Sequence, residues 1–224
     1  MSAGKVVFSQ TMEALFVRAL GPSLSAAGRE RLKQLGLDVS RPLLPAYDFD
    51  VWMGCLRVGA EECFPGVPLE EAMHRLGRAY IEGYRATLMG RAVLGLLRAL
   101  GPRRALERTT HNFRSGNNYT DSRLAQQGPA SFTLWMNEVG PYPAFTAGLI
   151  QAGLEAAGAE APQVAVQAYD GQACTYAVQW AEAREVQPLR SGTAGGVAGG
   201  VAGGVAGGVA GGVAGGEAQH RMRR

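Results

Sequence analysis

Apolar residues recur every three or four positions through the first half of the chain and, over much of the second half, every second position. The first spacing belongs to helices that bury one stripe, the second to strands that bury one face. A short apolar run, Val6-Val7-Phe8, leads into Ser9-Gln10-Thr11 and Glu13, a hydroxyl ahead of a carboxylate as at a helix start. Leu15, Phe16, Ala19 and Leu20 share the inward face of that helix, and Gly21-Pro22 stops it. Ser25 opens a second helix to Leu35, with Gly36 as its stop. Arg41 to Pro45 is extended, because proline disfavours helix in the residue before it.

Asp48 or Asp50 can cap a third helix, in which Val51, Trp52, Cys55, Leu56, Gly59, Ala60 and Cys63 form one stripe. Phe64-Pro65-Gly66 ends it, and Pro68 starts a long helix with a face of Leu69, Met73, Leu76, Tyr80, Tyr84 and Leu88. Gly77 and Gly83 inside that helix predict close helix–helix approach. Ala92 to Leu100 is a further helix, broken by Gly101-Pro102, and Arg103 to Phe113 is another, with Gly116 just past its end.

After residue 117 the period changes to two. Asn118 to Ala125 and Ser131 to Glu138 read as a hairpin about Gly128-Pro129, with Phe132, Leu134 and Met136 on one side. Pro143 to Ala157 returns to helical spacing, with Phe145, Leu149, Ala152 and Ala156 inward and Gly158 as the stop. Val164 to Tyr169 and Ala173 to Trp180 form a second hairpin about Asp170-Gly171, a strong turn pair. The predicted class is α+β. A helical N-terminal half precedes a ββ-α-ββ antiparallel sheet, with helices packed on one face.

Composition sharpens the boundaries. Of 32 glycines, 13 lie between Gly192 and Gly216 in Ala-Gly-Gly-Val repeats of period four, which excludes collagen. The expected organisation is one α+β domain over residues 5–182 and a disordered Gly-Ala-Val tail with a basic end over 183–224. The repeat mimics a small-residue membrane helix, but half of it is glycine, so a flexible linker is expected. Membrane attachment through the tail stays as an alternative.

The formal net charge is +3, unevenly spread. Residues 85–123 carry eight arginines against Glu107 and Asp121. These are expected to decorate the solvent faces of helices. Only Phe113 and Tyr119 interleave as aromatics, which argues against nucleic-acid binding. Cys55, Cys63 and Cys174 cannot all pair, and no apolar signal segment opens the chain, so a reducing cytoplasm is expected. No cysteine or histidine pair has zinc-site spacing, and no metal is expected.

Four strings carry a resemblance: Arg41-Pro-Leu-Leu-Pro-Ala-Tyr47, Asn112-Phe-Arg-Ser-Gly-Asn-Asn-Tyr-Thr120, Leu134-Trp-Met-Asn-Glu-Val139 and Tyr169-Asp-Gly-Gln-Ala-Cys-Thr-Tyr176. They resemble a paralogous family of myxobacterial proteins of unknown function over about residues 5–180. The helices followed by ββ-α-ββ, with Pro and Phe opening the middle helix and a final Gly-x-x-Cys-x-Tyr strand, also resemble the haem-nitric-oxide/vinyl-reductase-like ligand-binding superfamily. That superfamily includes subunits of vesicle-tethering complexes. It implies a pocket between helices and sheet, and a role in sensing or assembly.

The nitric-oxide sensors of that group carry Tyr-x-Ser-x-Arg for the haem propionates. Here Tyr119-Thr-Asp-Ser122-Arg123 has one residue too many, which in a strand turns Ser122 to the face opposite Tyr119 and Arg123. His74 is offset from the core position Met73, and His111 lies too near Tyr119 for the sensor spacing. No cofactor is expected.

The stretch from His111 to Tyr119 concentrates hydrogen-bonding groups suited to the polar end of a ligand. His111, Asn112, Arg114, Asn117, Asn118, Tyr119 and Arg123 are the candidate ligand contacts. A helix-to-strand connection, with Gly116 in a left-handed cap and the asparagines bonding local backbone, explains the same residues. The Glu61-Glu62 and Glu70-Glu71 pairs flank helix ends, where capping accounts for them. Asn137-Glu138 ends a strand, with a turn role and a functional role both open. No nucleophile elbow, phosphate loop or zinc-protease helix occurs. The expected function is a non-catalytic cytoplasmic module for a small hydrophobic ligand or a protein partner, including a second copy. An enzyme using the His111–Arg123 region is the alternative.

Overall fold

The structure, a computed structural model, describes residues 4–181; the Gly-Ala-Val tail lies outside them. The chain is an α+β protein with a helical N-terminal half and a four-stranded antiparallel sheet. Strand β1 (Val6–Phe8) runs into α1 (Ser9–Met12), which continues as a π-helical segment over Glu13–Ala19. Its wider winding shows in the Leu20 N–H, which donates to the Leu15 carbonyl five residues back at 2.9 Å. Helix α2 (Ala26–Gln34) is capped at Ser25, whose hydroxyl accepts from the Gly28 N–H at 2.9 Å.

Strand β2 (Ala46–Asp48) pairs antiparallel with β1 and buries Tyr47. This small sheet was not expected, because its partners are far apart in sequence and each is only three residues long. Helix α3 (Phe49–Cys63) follows. Asp48 occupies its N-cap position without a side-chain cap hydrogen bond, so the expected aspartate cap is absent there. Glu61 and Glu62 are not caps either: both pair with Arg31, which ties α2 to α3.

Helix α4 (Leu69–Ala86) ends before the expected Leu88. The Thr87 hydroxyl accepts from the Gly90 N–H at 2.9 Å and starts α5 (Leu88–Glu107), which leaves Leu88 exposed rather than in the core. Gly101, with φ of 80°, breaks α5 at the expected Gly-Pro, and a short α6 (Thr109–Arg114) follows.

The sheet has the order β3-β4-β6-β5, formed by β3 (Ser122–Gly128), β4 (Ser131–Met136), β5 (Glu160–Tyr169) and β6 (Cys174–Ala181). Strand β3 starts four residues later than expected. Asn118 to Asp121 is instead a loop, because asparagine side chains take up the backbone groups that a ladder would use. Helix α7 (Pro143–Ala156) covers the inner sheet face, where Ile150 and Leu154 join Phe132, Leu134, Met136, Tyr176 and Val178. Its other side carries Phe145 and Leu149 toward α4 and Trp52. The helix is therefore buried on two faces, not on the single one its spacing predicts.

The expected close approaches occur. A Cβ placed on Gly77 would lie 2.0 Å from the Phe145 carbonyl oxygen, and one on Gly83 would lie 1.9 Å from that of Ala14. Gly148 of α7 reciprocates, 2.0 Å from the His74 carbonyl oxygen. These contacts bring backbone against backbone and fix how α4 lies between α7 and the π-helical segment.

Candidate functional site

A cavity of about 140 Å³ opens where α4, α5, α7 and residues 105–120 converge. Ile81, Leu94, Leu97, Leu106, Leu149 and Ile150 supply apolar wall. Gly153 of α7 lines it, and a Cβ there would touch nothing within 4 Å. Pockets for drug-sized molecules run to about 300–1,000 Å³, whereas an apolar cavity of roughly 150 Å³ takes up benzene or xenon. This cavity belongs to the smaller class.

Part of the wall is polar. Tyr80 and Tyr84, one turn apart on α4, stack at 5.7 Å. Burial raises the pKa of both phenols, while the hydroxyls of Thr11 (for Tyr80) and Ser115 (for Tyr84) pull in the opposite direction. Tyr119 also lines the wall, its ring edge-on to Phe49 at 5.1 Å. Burial and the nearby Glu138 carboxylate push its pKa up as well. All three phenols stay protonated near neutral pH and present O–H groups. Glu138 is the one charged residue on the wall; its carboxylate meets the Lys5 ammonium and accepts from the Gly140 N–H at 3.0 Å.

Asn112, Asn117 and Tyr119 line the cavity, while His111, Arg114, Asn118 and Arg123 are not on its wall. The Asn112 amide donates to the Ala105 carbonyl at 3.3 Å. The buried Asn117 amide oxygen accepts from the Tyr119 and Thr120 N–H groups at 3.1 and 3.0 Å. Asn118 holds the N-terminal strand, accepting from the Val6 N–H and donating to the Gly4 carbonyl, each at 2.9 Å. Arg114 ties down its own loop through the Thr120 and Asn118 carbonyls and Asp121. His111 is exposed, and Arg123 lies over Trp135 at 4.8 Å. Much of the asparagine-rich string therefore anchors backbone, and part of it forms the cavity wall.

Replacing Asn117 by alanine strands two N–H groups and should destabilise the protein by about 1–3 kcal/mol in urea unfolding. Asn117→Asp retains an acceptor and should recover much of that loss.

The helical spacing places Tyr80 and Tyr84 only on the core face, and the sequence leaves the role of Glu138 open. The available signal was a pair of hydroxyl-tipped aromatics, four apart, on a buried stripe. Asn137, beside Glu138, accepts from the Asp121 N–H at 2.6 Å and donates to the Tyr119 carbonyl at 2.9 Å, so it positions the same loop. Among the described residues the wall carries no cysteine or lysine. Cys55 lies off the cavity in the core, where burial pushes its thiol up to about 12.

A protein family described as being of unknown function, DUF2378, matches residues 5–181. No curated protein matches the chain. Among solved structures, an unliganded Fe(II) H-NOX protein from K. algicida is similar at 12% identity and a TM-score of 0.57. That match covers 80% of this chain and 98% of that one. An oxygen-binding H-NOX domain related to soluble guanylate cyclases, solved as its oxygen complex, is similar at 14% identity and a TM-score of 0.54. It is matched over 77% of this chain and 92% of its own. At these identities the likeness shows a shared fold.

That fold raises the question of haem, and the residues present do not fit one. None of the described histidines lines the cavity: His74 is engaged with Gln151 at 2.9 Å, and His111 is exposed. Ser122 is bonded to Thr110 at 2.7 Å and Arg123 lies against Trp135, so neither is on the wall to meet a propionate.

Proposed function

The chain belongs to the DUF2378 family, and from that premise we propose that it is a non-catalytic module that binds a small, mostly apolar molecule in this cavity. The observation that carries the reading is the wall itself, mostly apolar, with the protonated phenols of Tyr80, Tyr84 and Tyr119 in its lining. Such a surface binds by exclusion of water and orients its ligand through a few hydrogen bonds. Asn112, Asn117 and Tyr119 contribute wall and orientation. His111, Arg114, Asn118 and Arg123 act indirectly, through the loop that carries the wall.

Catalysis is not part of the proposal, since the carboxylate on the wall, Glu138, is taken up by the Lys5 ammonium and the Gly140 N–H. A sensing or assembly role in the cytoplasm accords with a domain that holds a ligand without transforming it. No helix of the described residues is long and apolar enough to cross a membrane.

Native mass spectrometry with an absorbance spectrum of the purified full chain tests the reading. The expected result is a retained organic molecule of small mass, or uptake of one after stripping, without a haem band. A ligand-free chain that takes up no small apolar molecule at all overturns it.

A further inference from the structure

Between Leu88 and Leu100, helix α5 is apolar nearly all the way round, yet only one side of it is covered. Gly90, Leu94 and Leu97 are buried. On the other side Leu88 is 80% exposed, Met89 55%, Leu96 48% and Leu100 39%. Leu88, Ala92, Leu96 and Leu100 follow one another at four-residue spacing, so they form a single row along the helix. A helix apolar on every side is ordinarily buried, and a contiguous exposed apolar patch marks an interaction surface.

Charge indicates what covers it. No acidic residue lies between Glu82 and Glu107. Arg91 and Arg98, seven apart, sit together on one flank of the strip. Among the described residues neither forms a salt bridge. The arginines at either end of this stretch, Arg85, Arg103 and Arg104, are paired with Glu82 and Glu107, so the uncompensated positive charge along the strip is that of Arg91 and Arg98. A second copy docked antiparallel through the same strip would set its arginines beside these with no carboxylate between them. Seven residues of helix set these two charges about 10 Å apart along the strip, which suits a surface of distributed negative charge rather than a single carboxylate.

We propose that α5 docks this strip onto an anionic lipid surface. Leu88, Met89, Leu96 and Leu100 enter the boundary between headgroups and acyl chains, and Arg91 and Arg98 lie at the level of the lipid phosphates. The helix lies on the membrane and does not cross it. The proposal stands independently of the cavity and its ligand.

Sedimentation of the full chain with phosphatidylcholine vesicles, with and without phosphatidylserine, tests it. Binding to the phosphatidylserine vesicles is expected to be about tenfold tighter or more. Leu96→Glu should weaken that binding by about tenfold or more while circular dichroism stays unchanged. Arg91→Ala combined with Arg98→Ala should remove most of the preference for phosphatidylserine. Three results would overturn the proposal: no binding to either vesicle, equal binding by wild type and both variants, which would assign it to the basic end of the tail, or a solution dimer abolished by Leu96→Glu, which would make the strip a contact between copies.

Discussion

Gly77→Ala should destabilise the protein by about 3 kcal/mol, although alanine is the better helix former by roughly 1 kcal/mol. The new Cβ would stand 2.0 Å from the Phe145 carbonyl oxygen and 2.8 Å from the Leu149 nitrogen, both backbone atoms that cannot rotate away. Relief therefore requires α4 and α7 to separate, which opens the layer that joins the helical half to the sheet. Gly148→Ala makes the reciprocal clash with the His74 carbonyl oxygen at 2.0 Å. Because either substitution forces the same separation, the double variant should lose clearly less than the sum of the two. Urea unfolding followed by tryptophan fluorescence measures all three. Additive losses, or a neutral Gly77→Ala, would show that the two helices are not locked at this crossing.

Stability should fall steeply in alkali. Burial raises the pKa of Tyr80, Tyr119 and Tyr176 above the ordinary tyrosine value of 10.0. Above that value the unfolded chain loses these protons while the folded chain keeps them, so the unfolded state binds fewer protons and gains from rising pH. The contribution is fully present below about pH 10 and is lost as pH rises toward the folded-state values. Three groups together should remove about 3 kcal/mol between about pH 10 and pH 11. Urea unfolding at those pH values, with phenolate absorbance followed in parallel, reads both sides of the linkage. If all seven tyrosines ionise near pH 10 in the folded protein, the buried phenols are not where the structure places them.

The sequence made the local features of this fold legible and hid the distant ones. Asp170-Gly171 announces its hairpin because the chemistry is contained in four residues: the Asp170 carboxylate accepts from the Gln172 and Ala173 N–H groups at 2.9 and 2.7 Å, and Gly171 takes φ of 100°. Gly77 and Gly83 were legible because glycine inside a helix stripe has few other uses. The start of β3 was not. Asn118 alternates like a strand residue, but its side chain bonds Val6 and Gly4 near the N-terminus. Periodicity cannot see a partner more than a hundred residues away.

The boundary at Leu88 is hidden in the sequence for a related reason. Its spacing continues the stripe of α4, and only the cap formed by Thr87 shows that a new helix has begun. The cavity was the least legible feature of all. Space is left by how α4, α5 and α7 meet, and Tyr80, Leu97 and Gly153 come from three separate helices. The asparagine-rich string pointed to one wall of it, through Asn112, Asn117 and Tyr119.

Chemical denaturation in increasing benzene tests the cavity most directly, since a ligand that binds only the folded chain raises stability as RT ln(1 + [L]/Kd). The expected result is a saturable rise of roughly 1–3 kcal/mol for the wild type, and no rise for Leu97→Trp, whose larger ring occupies the space. A flat response in the wild type, or the same rise in both proteins, would contradict a binding cavity between α4, α5 and α7.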